Sequence, residues 1–105
     1  MNAIGMHYGF WSHNWNEIDY YYLIPKLARL GFDISEVASA EFAYYSDAKL
    51  KELKQLADDN GLTFTYSIGL EDKYDLASDD AAVRENGIRH VTKILESMPK
   101  VGATI

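Results

Sequence analysis

Apolar residues recur along this chain in two alternating rhythms. The run from Ala3 to Tyr8 has the length of a strand, and it gives way to a polar, aromatic stretch, Gly9-Phe10-Trp11-Ser12-His13-Asn14-Trp15-Asn16. From Tyr20 or Tyr21 to Leu30 the spacing becomes helical, and Ile24, Leu27, Ala28 and Leu30 are predicted to face inwards. Phe32 to Ala38 reads as a second strand that carries Asp33 and Glu36 among apolar neighbours. Leu50, Leu53, Leu56 and Ala57 then return at helical spacing, with Lys49, Lys51, Glu52, Lys54 and Asp58 on the wet side. Leu62 to Ile68 alternates as a third strand, and after the polar connection Gly69 to Ala77 a last helix is predicted with Val83, Gly87, Val91, Leu95 and Met98 inside.

Each helical stretch stops at a glycine: Leu30-Gly31, Asn60-Gly61 and Val101-Gly102. Glycine takes the left-handed conformation that closes a helix and releases an extended segment. The order is therefore βαβαβαβ, with the last strand only begun at Ile105. Such alternation predicts a parallel sheet with right-handed crossovers. The fold class expected is α/β, a partial (β/α)8 TIM barrel of about three βα units plus the start of strand 4. Residues 1–105 read as the N-terminal segment of a single, truncated barrel domain, since eight units take about 250 residues. By itself a three-stranded parallel sheet leaves an edge and a face in water, so marginal stability or self-association is expected of the separate chain.

Local signals sharpen the boundaries. Pro25 belongs near the start of the first helix, where a missing amide costs least, and Pro99 marks the end of the last. Ser46 is an N-cap candidate followed by Asp47, and Ser78-Asp79-Asp80 offers a cap with first-turn acids.

Composition narrows the function classes. A hydrophobic content of 48% is enough for a packed core, which excludes disorder. Sixteen acidic against ten basic residues, with no Lys/Arg cluster, exclude nucleic acid as the expected partner. No run approaches the roughly 20 apolar residues of a membrane span, and Ala3 to Tyr8 is too short for a secretory signal. A mature, cytoplasmic protein without a membrane partner is expected. The absence of cysteine excludes disulfides and thiolate chemistry in this segment.

In parallel β/α proteins ligands meet the carboxyl ends of the strands. The residues leaving the first strand are His7, Tyr8, Trp11 and Trp15; those leaving the second are Glu36 and Ser39; those leaving the third are Ser67, Gly69 and Glu71. A polar mouth edged by aromatics suits a polyol, because flat rings pack on sugar C–H faces while small polar groups meet hydroxyls. Several of these side chains suit packing or solvation as well as binding. Trp11 equally fits a plug at the end of the barrel, and Trp15 less so. His7 and His13 are a weak metal pair, Glu36 is either a base or a partner for nearby amides, His90 is expected to be solvated, and Asp79-Asp80 is explained by capping. No dinucleotide fingerprint, phosphate loop, serine elbow or metalloprotease helix is present.

The chain resembles the D-tagatose/D-psicose 3-epimerases, a family within the xylose-isomerase-like TIM barrels. The likeness rests on Gly5-Met6-His7-Tyr8-Gly9-Phe10-Trp11 with Trp15 beyond it, on Leu30-Gly31-Phe32-Asp33-Ile34-Ser35-Glu36-Val37, and on Tyr45-Ser46-Asp47-Ala48. It continues through Ala57-Asp58-Asp59-Asn60-Gly61-Leu62-Thr63, Ser67-Ile68-Gly69-Leu70 and Asp75-Leu76-Ala77-Ser78-Asp79-Asp80. The resemblance implies a metal-dependent ketose 3-epimerase that exchanges a proton at C3 through an enediolate. It implies a divalent ion, manganese, cobalt or magnesium, held by two glutamates, an aspartate and a histidine on later strands, so that no metal ligand and no catalytic residue is expected in this segment. His7, Tyr8, Trp15, Ser67 and Gly69 are implied to face the substrate, with Glu36 behind them; His7 stands where the family usually has Phe or Tyr. A ketose substrate and a homo-oligomer, or association through the exposed barrel edge, are the expected partners. Another enzyme of the same barrel superfamily, such as a sugar isomerase or inosose-type dehydratase, and a non-catalytic half-barrel that binds sugar or serves assembly remain alternatives.

Overall fold

The computed structural model describes residues 2–104 and, of Trp15, the backbone alone. Three parallel strands, β1 (Gly5–His7), β2 (Ile34–Ala38) and β3 (Thr63–Ser67), lie in the order β1-β2-β3. Four helices follow the chain: α1 (Tyr20–Arg29), α2 (Ser39–Ala43), α3 (Asp47–Asp59) and α4 (Ala81–Val101). Thr65 forms a parallel bridge to Thr104, so the chain re-enters the sheet beside β3 where the sequence predicts a fourth strand. The remainder of that strand, Ile105, lies outside the described residues. Every new strand is thus added on the same side, as the winding of a barrel requires.

The expected glycine switches are all present: Gly31, Gly61 and Gly102 have φ of 91°, 69° and 65°. After Gly31 the chain folds back at once. Phe32 donates to the Leu27 carbonyl at 3.1 Å, the Asp33 amide donates to Ile4 O at 2.8 Å, and the Asp33 carboxylate accepts from the Ile4 amide at 3.0 Å. One aspartate therefore sets the register of β1 against β2. Capping follows the same local logic: Asp19, Ser46 and Asp80 accept from amides in the first turns of α1, α3 and α4. Ser78, expected as the last cap, instead accepts from the Asp80 amide one step earlier.

One face of the sheet is covered. Val37, Phe64 and Tyr66 point into the core, where Phe42 of α2 meets the rings of Tyr20, Phe64 and Tyr66 at centroid distances of 5.0, 5.4 and 5.9 Å. Leu23, Ile24 and Leu27 of α1 and Leu50, Leu53 and Ala57 of α3 complete it. Tyr66 also places its hydroxyl 2.7 Å from Ser97 Oγ, so this buried pair is mutually satisfied. The opposite face, with Ile34, Glu36, Thr63, Thr65 and Ser67, is only half-buried or exposed.

The helix phases need two corrections. Leu30, expected inside, lies past the last turn of α1 and is exposed, while Tyr20 and Leu23 take the inner face. In α4 the buried positions are Gly87, His90, Ile94, Ser97 and Val101; Leu95 is half exposed, and Val83, Val91 and Met98 are only partly covered. The helix also runs through Pro99 to Val101; the proline gives up the bond its nitrogen would have donated to the Leu95 carbonyl, and the helix closes on the Ala103 amide donating to Met98 O at 2.9 Å.

Candidate functional site

At the carboxyl ends of β2 and β3 the sheet opens onto a cavity of about 110 Å³. Tyr8, just past β1, forms one side; Ala38, Ser39 and Ala40 at the β2–α2 junction form a second; Ser67, Ile68 and Gly69 form the third. The volume is well under the roughly 300 Å³ of a complete small-molecule pocket, so this is one wall of a site. Its floor is rigid. Ser39, fully buried, donates to the Ser67 carbonyl at 2.8 Å. The Ala38 amide donates to Tyr20 Oη at 3.3 Å, and burial pushes the Tyr20 phenol far above its ordinary value, keeping it neutral.

Tyr8 is delivered to the cavity by a break in β1. The sequence pattern carries the strand from Ala3 to Tyr8, but the strand ends at His7, whose Nδ1 accepts from the Gly9 amide at 2.9 Å and caps a 3-10 turn over Tyr8–Phe10. A side chain at position 9 would press on that imidazole, with a Cβ 3.0 Å from Nδ1, so glycine there lets the ring fold back. The His7 ring stacks on Tyr8 at 4.2 Å and takes the edge of Phe10 at 6.3 Å. Because Nδ1 accepts a hydrogen bond, the neutral imidazole carries its hydrogen on Nε2.

Beside the cavity a row of side chains crosses the uncovered face. The register pairs His7 with Glu36 and Glu36 with Thr65, and Thr65 with Thr104. Residues aligned in this way share a face, so an imidazole, a carboxylate and two hydroxyls line the inner side in one layer.

Among the expected site residues, Tyr8, Ser67 and Gly69 line one cavity. His7 and Glu36 lie next to it in the same layer, and the side chain of Trp15 lies outside the described residues. Trp11 is half-buried and packs on the core, with Lys26 Nζ 4.7 Å from its ring centroid. His90, expected in solvent, is 7% exposed between two tyrosines. The Ser39-Ala40 wall belongs to α2, a single-turn helix whose five residues are too few to display a period.

His, Asp and Glu side chains do not gather in groups of three or more among the described residues, and His7 Nδ1 is already engaged. These residues do not fit a divalent-ion centre. No helix of the described residues is long and apolar enough to cross a membrane.

A parallel sheet that winds one way, with helices on one face and a polar layer on the other, is an arc of a β/α barrel. The family model described as xylose isomerase-like TIM barrel matches residues 24–105, and the chain belongs to that family. It is 39% identical over 97 residues to a D-psicose 3-epimerase of Ruminiclostridium cellulolyticum and 40% identical over 97 residues to one of Agrobacterium fabrum. Each match covers 92% of this chain and 33% of the relative, so the chain spans about a third of the length of these curated relatives. A crystal structure of D-psicose 3-epimerase in the presence of D-fructose superposes with a TM-score of 0.90 at 37% identity, over 97% of this chain and 35% of the other. An L-ribulose 3-epimerase structure gives 0.79 at 26% identity, over 98% and 34%.

Proposed function

We propose that this chain supplies a substrate-facing wall of a ketose 3-epimerase, and that residues 1–105 form part of a single barrel domain. The observation that carries the reading is the meeting of Tyr8, Ser67 and Gly69 around one cavity at the carboxyl ends of the strands, in a chain that is 39% and 40% identical to D-psicose 3-epimerases across 92% of its length.

In this reading Tyr8 and Trp15 pack on the C–H faces of a ketose, the Ser67 hydroxyl and the Gly69 amide meet its hydroxyls, and His7 presents its Nε2 hydrogen to an oxygen. Glu36 stands beside His7 in the same layer, supports it without touching the sugar, and sets the polarity of the layer. The reaction is inversion at C3 by removal and return of a proton through an enediolate, and so weak a carbon acid needs a placed base and charge stabilisation. A bound divalent ion, manganese, cobalt or magnesium, would supply that polarisation; its ligands are proposed to lie outside these three βα units. The residues of this chain bind the sugar, orient it and exclude water. Association through the uncovered sheet edges and a cytoplasmic location complete the proposal.

The test is incubation of the complete barrel with manganese and D-fructose, D-psicose or D-tagatose in D2O. The expected result is interconversion of C3 epimers with deuterium entering at C3. Formation of an aldose with label at C1 or C2 would mark an isomerase instead, and ketose binding without turnover would mark a non-catalytic module.

A further inference from the structure

Two walls of the cavity lead back to one imidazole. The β2–α2 wall, Ser39 and Ala40, continues through α2 to Tyr44, whose amide closes that helix on Glu41 O and Phe42 O. The wall after β3, Ile68 and Gly69, continues to a 3-10 turn at Asp72–Tyr74, closed by a bond from the Tyr74 amide to Glu71 O at 2.8 Å. His90 of α4 touches both. Its ring stacks on Tyr74 at 3.8 Å with an interplanar angle of 6°, and its Nδ1 lies 3.0 Å from the Tyr44 hydroxyl.

Neighbouring positions on the same face of α4 fasten the second wall further. Asn86 Nδ2 donates to the Lys73 carbonyl at 3.0 Å, and Gly87 lies so close under the Tyr74 carbonyl that a Cβ would collide with it. An imidazole adds one directional contact to each wall.

We propose that His90 is a positioning residue for the cavity: it couples the α2 wall to the wall after β3 and so sets the separation at which they hold a polar, sugar-sized ligand. The charged and titratable groups around it are Tyr44 after α2, Glu71, Lys73 and Tyr74 from the segment after β3, and Lys93 on α4, whose Nζ lies 4.5 Å from the Tyr44 ring centroid. Burial holds the His90 imidazole below its ordinary value; Glu71 opposes this and Lys73 adds to it.

The inference rests on the cavity being the ligand site, and the experiment separates the two. In the 105-residue chain labelled with 15N, Tyr44→Phe is expected to shift the Gly69 amide, and Tyr74→Leu the Ser39 and Ala40 amides, each perturbation crossing to the opposite wall. In a His90→Leu background both cross effects are expected to fall severalfold, to what the Ser39–Ser67 bond and the Tyr44–Tyr74 contact transmit by themselves. Effects confined to the wall that carries the substitution, or cross effects undiminished without His90, overturn the coupling. Should Tyr74→Leu or His90→Leu fail to fold, the unsubstituted chain decides: the Ser39 and Gly69 amides follow the His90 Cε1–H signal through pH with one midpoint, and separate midpoints overturn the proposal. D-psicose, added to the complete barrel, is the ligand probe. Tyr44→Phe is expected to weaken its binding roughly fivefold, the loss of about one hydrogen bond; unchanged affinity overturns the positioning role. Failure of the complete, unsubstituted barrel to bind D-psicose would count against the ketose reading, with the amide shifts still deciding the coupling.

Discussion

Ser39 Oγ donates to the Ser67 carbonyl at 2.8 Å, tying the first residue of α2 to the last residue of β3 beneath the cavity. Strands β2 and β3 already share a ladder, and this bond continues their attachment beyond it. Ser39→Ala leaves a partly buried carbonyl without its partner, at an expected cost of about 1–3 kcal/mol. Urea denaturation measures that loss, and the ketose affinity of the variant is expected to fall with it. A variant as stable as the parent would show that water replaces the hydroxyl freely.

Gly87→Ala sets two effects of opposite sign against each other. Helix propensity alone favours alanine by about 1 kcal/mol. The added Cβ collides with the Tyr74 carbonyl, a backbone atom with no room to rotate aside, so overpacking is expected to dominate and destabilise the chain by about 1–3 kcal/mol. Thermal denaturation reads the sign directly.

Stability is expected to decline in acid through His90. Its imidazole is depressed in the folded chain by burial, so folding prefers the neutral ring. That contribution is complete above the unfolded value of about 6.5 and is lost as pH falls through the lower folded value. His90→Gln cannot titrate; the difference between its urea midpoints and those of the parent chain, followed from pH 7.5 downwards, isolates the effect.

His7→Phe, in the complete barrel, is expected to change the ranking of ketoses by kcat/KM, because an Nε2 donor is exchanged for an apolar face. Gly9 also loses its acceptor, so the Tyr8–Phe10 turn is expected to loosen. Identical substrate profiles would remove His7 from the site. Trp15→Ala in the same protein is expected to raise KM more than it lowers kcat, as the loss of a binding surface should.

Much of this architecture was legible because it is encoded locally. Gly31, Gly61 and Gly102 announce helix ends by a conformation few other residues adopt, and Ser46 announces a start through an oxygen that reaches its own first turn; Ser78-Asp79-Asp80 marks the start of α4 to within two residues, with Asp80 rather than Ser78 as the cap. Parallel topology then places Tyr8, Ser67 and Gly69 at one end of the sheet, and they do line one cavity. The phase of α4 was not legible in this way. The pattern places Gly87 inside correctly but favours Val91 and Leu95 beside it, whereas the buried face carries His90 and Ser97, whose burial depends on Tyr74, Tyr44 and Tyr66, all remote in sequence. The short α2 escaped for a different reason: five residues hold a little over one turn, and only Phe42 meeting four aromatic rings reveals its importance.

The layer formed by His7, Glu36, Thr65 and Thr104 bears on how such an arc joins its neighbours. Imidazole, carboxylate and hydroxyl groups remain content in water, so the hollow of the arc exerts little oily adhesion. At the sheet itself, joining relies instead on main-chain groups along the two flanks, a directional and register-bound attraction. Staves of this kind recognise one another by alignment before they recognise one another by stickiness.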